Sequence, residues 1–261
     1  MDLNEVPATP FRRHPWEVAR ARFFGKIVAD AIPAGAPARV LDVGAGDGYL
    51  ARSLLGGIPV GSSVACVDSN YTDAELQRFA SPPTLGLTFS RTRPAGRFDV
   101  ILLLDVIEHI ADDRAFLDEI LGGSLDRNGL VVVSVPAWDL LYGQHDLALK
   151  HFRRYQPAQC RALLEAAGLE IVHDGGLFRS LLLPRVLQRI AEAAGGALLV
   201  GRGGRGKDRP ANLGEWRGGE LLSSLVTLAL EADTRLSTRL ARAGRAVPGL
   251  SYFALGRKEA A

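Results

Sequence analysis

The sequence predicts an α/β protein built on an open, doubly wound parallel sheet, and three observations carry that prediction. Short apolar runs alternate with helix-spaced segments through most of the first 175 residues. The run at 98–104 (FDVILLL) reads as a strand buried on both faces. The stretch 39–50 (RVLDVGAGDGYL) ends an apolar run in three alternate glycines, Gly44, Gly46 and Gly48. Glycines there let a strand turn sharply into a helix while its backbone stays bare enough for a ligand to approach.

Residues 1–10 are polar and proline-bearing and read as a loose tail. Trp16, Ala19, Phe23, Ile27 and Ala31 repeat at helical spacing, so a helix is expected over 16–31, ended by Pro33 and Pro37. It reads either as a helix packed on the core or as a lid over a ligand site. Strands are expected at 40–43, 63–67, 85–90, 98–104, 130–135 and 169–173, with helices at 49–55, 72–79, 112–121 and 159–167 between them. Gly122 and Gly123 are expected to begin the exit from the third of these helices.

Beyond Gly175 and Gly176 the rhythm breaks. An apolar helix is expected over 181–194 with Pro184 in its first turn. A glycine- and arginine-rich loop follows at 201–209 (GRGGRGKDR), with phosphate binding as its alternative role. A long helix is expected over 220–242, with Leu221, Leu225, Leu228, Ala232, Leu236 and Leu240 on one apolar face. Core packing is the default for that face; a membrane surface or a dimer contact is the alternative. Residues 250–255 (LSYFAL) read as a closing strand.

The 261 residues suffice for a single large domain, and 47% hydrophobic with 23% charged residues is ordinary for a soluble one. A formal charge of +2 argues for no nucleic-acid partner. Asp2 and Glu5 precede any apolar run, against a signal peptide, and no run approaches the ~18 apolar residues of a membrane span. Cys66 and Cys160 match no metal spacing, and no metal site is expected. They read as reduced thiols of a cytoplasmic protein, or of one lying on the inner membrane surface.

Spacing separates the nucleotide-type ligands. The dinucleotide pattern G-x-G-x-x-G/A wants a small third residue, and counting from Gly44 that place holds Tyr49. Asp68, twenty positions after Gly48, closes the second strand, where a carboxylate can accept both hydroxyls of a ribose. The Tyr-x-x-x-Lys pair of short-chain reductases is missing, since Asp146 follows Tyr142 and Gln159 follows Tyr155 at that spacing. An NAD-linked oxidoreductase remains the alternative. A non-catalytic cofactor-binding or membrane-associated partner subunit is a third reading.

Four segments, VLDVGAGDGYL, VDSN at 67–70, FDVILLLDVIEHIADD at 98–113 and GLVVVSVPAW at 129–138, stand in the order and spacing of a known series. Over about 37–175 the chain resembles class I S-adenosylmethionine-dependent methyltransferases, above all the type 11, ubiquinone-biosynthesis-like subgroup. The resemblance implies a Rossmann-like, seven-stranded sheet with an antiparallel last strand. It implies that Asp42 with Gly44, Ala45, Gly46 and Gly48 holds the methionine part of the cofactor. Asp68 and Ser69 would meet the ribose, and Asp105 and Val106 would line the pocket near the methyl group. Glu108 and His109 would hold structure. Many relatives have an Asp after the third strand for the adenine; here Ser90 and Arg91 are the candidates.

The acceptor is expected at 138–155, which leaves the fifth strand at its carboxyl end. Trp138, Tyr142, Arg153, Arg154 and Tyr155 are the candidate substrate-binding residues, with the two arginines as a clamp for a carboxylate or phosphate. His145 beside Asp146 is the first candidate base and His151 the second. Either histidine reads equally well as a loop tie. The expected reaction is methyl transfer to an oxygen, before nitrogen or carbon, of a small or lipid-like acceptor. Residues 1–36 are expected as an N-terminal helical cover, 37–176 and 248–258 as the cofactor-binding core, and 177–247 as a helical insertion covering the substrate.

Overall fold

The computed structural model describes residues 12–200, 216, 218–243, 245 and 247–259. Its strands are β1 (Arg39–Val43), β2 (Ser63–Val67), β3 (Leu87–Ser90), β4 (Phe98–Leu104), β5 (Leu125–Pro136), β6 (Leu169–Leu177) and β7 (Ser251–Lys258). They form one sheet in the order β3-β2-β1-β4-β5-β7-β6. Neighbours from β3 to β5 are parallel, and β7 lies antiparallel to both β5 and β6. The chain winds outward from β1 to β3 and returns to place β4 beside β1. That reversal opens a crevice at the carboxyl ends of β1 and β4.

The helices are α1 (Pro15–Ala31), α2 (Tyr49–Leu55), α3 (Asp73–Phe79), α4 (Asp113–Ser124), α5 (Gln144–Ala148), α6 (Pro157–Ala166), α7 (Arg179–Val200) and α8 (Glu220–Arg242). Alternate residues of the central strands feed two cores. Val40, Val100, Leu102 and Val132 pack with Phe24 and Val28 of α1 and Leu54 of α2. Leu41, Ile101, Leu103 and Val131 pack with Leu117 and Leu121 of α4 and Leu164 of α6. Each such side chain contributes about 1.5–3 kcal/mol on burial, so the apolar β4 anchors both layers.

Four local expectations are corrected, three of them by partners distant in sequence. α4 runs through Gly122 and Gly123 to Ser124, because its final carbonyls find cations. Lys258 Nζ donates to Leu121 O at 2.8 Å, and Arg97 donates to Gly122 O at 3.2 Å. α7 begins at Arg179, which puts Pro184 beyond the first turn; Asp233 of α8 caps the start by accepting from Ser180 N–H at 2.8 Å and Ser180 Oγ at 2.7 Å. A short helix, α5, occupies a stretch expected as loop. The fourth correction is the face of α8. Leu221, Leu225, Leu228 and Leu236 are exposed, while Thr227, Leu230, Glu231, Thr234 and Ser237 are buried. Glu231 pairs with Arg22 of α1, while Thr227 and Thr234 donate to carbonyls of α8 itself, so the inner face is a polar one. The arginine-rich stretch at 201–209 lies outside the described residues.

Candidate active site

β1 delivers Asp42 and then turns at Gly44 (φ +67°), Gly46 (φ +54°) and Gly48 (φ +69°). Gly44 N–H donates to Val67 O at 2.8 Å, so the turn stays fastened to β2. A Cβ at Gly44 would stand 2.9 Å from Val106 Cγ2, and one at Gly48 would stand 2.6 Å from the Phe89 ring. Gly48 therefore makes room for β3. At the end of β2, Asp68 accepts from Asn70 N–H at 3.0 Å and from Gly46 N–H at 3.4 Å. Tyr71, which no motif marked, is buried and donates to Gly46 O at 2.6 Å.

A cleft of about 1220 Å³ opens at these strand ends. Asp42, Gly44, Ala45, Asp68, Ser69, Arg91, Asp105 and Val106 all line it. Ser90 does not; its hydroxyl donates to Thr92 O at 2.7 Å. Asp105 sits at φ +60°, accepts from Ser134 Oγ at 3.1 Å and pairs with Arg20 at 2.8 Å. Arg13 pairs with Asp47 and stands 4.0 Å over the Tyr49 ring. In α1, Ala19, Phe23 and Ile27 enter the core, while Trp16, Glu17 and Arg20 wall the cleft. The sequence reading missed Arg13 and Arg20, whose polar spacing matches that of a solvated helix face.

Burial, reinforced by Asp68 and opposed by Arg20, pushes the Asp42 carboxyl up to about 7. A carboxyl raised on folding binds more protons in the folded chain, so its stabilising contribution is present at low pH and lost as pH rises through about 7. The denaturant midpoint of the cofactor-free protein should fall between pH 5 and pH 8 more steeply than that of Asp42→Asn. Parallel pH profiles would refute this.

The 138–155 segment is knitted inward. Trp138 Nε1 donates to Gly249 O at 2.7 Å, and Tyr142 Oη donates to His151 O at 2.7 Å. Arg153 reaches Asp113 Oδ2 and Ala111 O, both at 2.6 Å, and Tyr155 Oη donates to the same Asp113 oxygen at 2.6 Å. None of these four is among the residues that line the cleft. Their polar groups are matched to neighbours because the loop itself is half-buried and needs internal partners. Arg154 does line the cleft, but it is buried and held by Asp146 at 2.8 Å and Ala137 O at 3.2 Å.

Asp146 is the hub of this region. It is fully buried, and its carboxylate accepts from Arg154, from His151 Nδ1 at 3.0 Å, from Gly143 N–H at 2.9 Å and from Arg185 of α7 at 3.4 Å. Burial opposes its charge, but the His151 hydrogen bond and the Arg154 ion pair outweigh that and hold the carboxyl well below the usual range. His145 and His151 both line the cleft. Burial lowers His145 below its ordinary value, so its ring is neutral near pH 7. Its Nδ1 is buried and has no hydrogen-bond partner among the described residues.

A bare-backbone turn, a carboxylate at the carboxyl end of each of β1, β2 and β4, and a roomy cleft at the switch point define a nucleotide-cofactor enzyme of the doubly wound class. Residues 11–174 match the family model described as a methyltransferase domain, and the chain belongs to that family. Its sheet and cleft are those of the class I, S-adenosylmethionine-dependent methyltransferase fold. A ubiquinone biosynthesis O-methyltransferase of Dinoroseobacter shibae is 32% identical over 165 residues, covering 53% of this chain and 62% of that protein. One from Bradyrhizobium diazoefficiens is 36% identical over 102 residues, 37% of this chain and 39% of the relative. The matches thus span between about two fifths and three fifths of these curated relatives. A solved S-adenosylmethionine-dependent methyltransferase from Mesorhizobium loti shares the fold at TM-score 0.50 and 16% identity, over 93% of this chain and 97% of that one. The [4+2]-cyclase SpnF does so at TM-score 0.54 and 16% identity, over 97% and 86%. The fold alone therefore does not fix the reaction.

Proposed function

We propose that this enzyme transfers a methyl group to a hydroxyl oxygen of a small, lipid-like acceptor. The cofactor supplies an activated methyl on a sulfonium, and the chain's residues position and protect the reaction. Asp68 and Ser69 hold the ribose hydroxyls, and Asp42 with the 44–48 loop holds the methionine end. Asp105 and Val106 border the reacting methyl, with Arg91 at the adenine side. Arg20 is a cation in the same wall, suited to the cofactor carboxylate once its pairing with Asp105 is shared.

The observation that carries the oxygen reading is His145, a neutral imidazole in the cleft wall with a buried nitrogen to spare. It accepts the hydroxyl proton as the new O–CH3 bond forms. α1 and α7 cover the acceptor and exclude water. Exposed leucines and Ile190 on α7 and α8 favour an acceptor drawn from a lipid surface, with the protein resting on it peripherally. No helix among the described residues is long and apolar enough to cross a membrane. The chain's likeness to ubiquinone biosynthesis O-methyltransferases supports a quinol-like acceptor.

One assay tests the reading: methyl-labelled S-adenosylmethionine with phenolic acceptors, free or dissolved in anionic vesicles. Labelled ether should form, faster from vesicles, and His145→Gln should lower kcat by roughly 100-fold or more while leaving S-adenosylhomocysteine affinity near wild type. Absence of labelled ether from every acceptor sinks the oxygen reading. Equal rates from both presentations remove the lipid-surface part.

A further inference from the structure

Beside Asp105 lies a group of side chains that the methyl-transfer chemistry leaves unused. Ile107–His109 is a single 3-10 turn after β4, and it carries Glu108 and His109. His151 comes from the segment after β5, and Phe152 N–H donates to Glu108 O at 2.8 Å, fastening the two segments together. One ligand atom from each of Glu108, His109 and His151 lies within 4.8 Å of the other two. The His109 and His151 rings meet edge to face with centroids 4.6 Å apart. All three residues line the cleft.

Glu108 is the telling member. It is fully buried, and neither carboxylate oxygen has a hydrogen-bond partner among the described residues. A carboxylate left so is costly, by several kcal/mol even after relaxation, unless it takes up a proton or a cation meets it. His151 is prepared from behind. Its Nδ1 stands 3.0 Å from Asp146 Oδ1, which favours the tautomer with the proton on Nδ1 and leaves the Nε2 lone pair for a ligand. A histidine backed by a carboxylate is the usual outer arrangement of a metal-bound imidazole. Asp146 is in turn fixed by Arg154 and Arg185, so the backing group cannot swing away.

We propose that Glu108, His109 and His151 bind a divalent transition-metal ion at the acceptor end of the cleft. Two imidazoles and one carboxylate suit Zn²⁺, Co²⁺, Mn²⁺ or Fe²⁺ better than Ca²⁺, which prefers six to eight oxygens. Ligands about 2.1 Å from one ion stand roughly 3–3.5 Å apart, so binding draws the three inward by about an ångström. The remaining coordination positions face the cleft and take two neighbouring oxygens of the acceptor. This role rests on the oxygen-methylation reading; the binding of the ion does not. Coordination weakens the acceptor O–H bond, and the proton leaves to His145 or water. The oxygen then forms its bond to the methyl carbon while the carbon–sulfur bond breaks and the sulfonium becomes a neutral thioether. The inference departs from the expectation of no metal, which rested on cysteine spacing; these ligands are drawn together only by folding.

The test begins on the full-length protein stripped with chelator, without S-adenosylmethionine. Titration with Co²⁺ alone should give saturable visible absorption bands at one equivalent. Glu108→Gln and His151→Ala should each weaken Co²⁺ at least about 10-fold, and His173→Ala, on β6, should bind as wild type. Calorimetry with S-adenosylhomocysteine on each variant serves as a separate check that the cleft is folded. No saturable Co²⁺ band, or wild-type affinity in both Glu108→Gln and His151→Ala, overturns the site. In turnover with an acceptor bearing vicinal oxygens, chelation should slow methyl transfer at least about 10-fold and Zn²⁺ or Mn²⁺ should restore it. An unchanged rate after chelation overturns the acceptor role.

Discussion

Asp68→Ala should weaken S-adenosylmethionine and S-adenosylhomocysteine about 100-fold in a calorimetric titration, with the fold intact. Asp68 stands at the end of β2 on the cleft wall, where a ribose diol would donate two hydrogen bonds to one carboxylate. Bonds to a charged group are worth about 1.5–3 kcal/mol each, and losing two of them after partial replacement by water leaves a deficit near 3 kcal/mol. The competing account makes Asp68 a turn residue, since it accepts from the Asn70 and Gly46 N–H groups. Asp68→Asn separates the two, because an amide oxygen keeps the turn bonds and loses the charge. Full affinity in Asp68→Ala together with lowered stability would leave only the turn role, and the cofactor assignment at β2 would fail.

Asp146→Ala should cost about 3–5 kcal/mol of folding stability in urea denaturation. The carboxylate is completely buried between Arg154, Arg185 and His151, and Arg154 is itself only 6% exposed. Truncation strands two buried guanidinium groups, one of which keeps only Ala137 O at 3.2 Å, and it frees the Gly143 N–H that starts α5. Arg185 reaches the hub from α7, so the substitution also unfastens the insertion from the core. A loss below about 1 kcal/mol would mean that water replaces the carboxylate, and the hub would not be structural.

What could be read in advance follows the range of the forces involved. The sheet was legible because strand burial writes itself into composition: β4 is apolar on both faces, and the glycines of 44–48 follow from backbone geometry that only glycine adopts cheaply. Asp42, Asp68 and Asp105 were legible because each immediately follows or ends an apolar run. The acceptor side was not. Trp138, Tyr142, Arg153 and Tyr155 look in sequence like a polar aromatic binding face, yet Gly249, His151, Asp113 and Ala111 engage them. Nothing local reveals those partners. The leucine row of α8 misled for a related reason, since its periodicity marks a face without saying which side of the helix Arg22 will claim through Glu231. Glu108 was visible, but its lack of partners was not, because an unmet need has no signature in a one-dimensional chain.

The position of β7 bears on how the molecule comes into being. Among the described strands it is the last made, yet it fills a place between β5 and β6, and β6 pairs with no other described strand. A nascent chain that has exposed everything up to β6 cannot add that strand to the sheet. It must wait through more than seventy further residues, α7 and α8 among them. Such late, long-range pairing slows folding. The glycine turn and its carboxylates emerge early, so ligand-binding backbone exists before the sheet can close. Closure of the sheet between β5 and β6 therefore waits until β7 has left the ribosome.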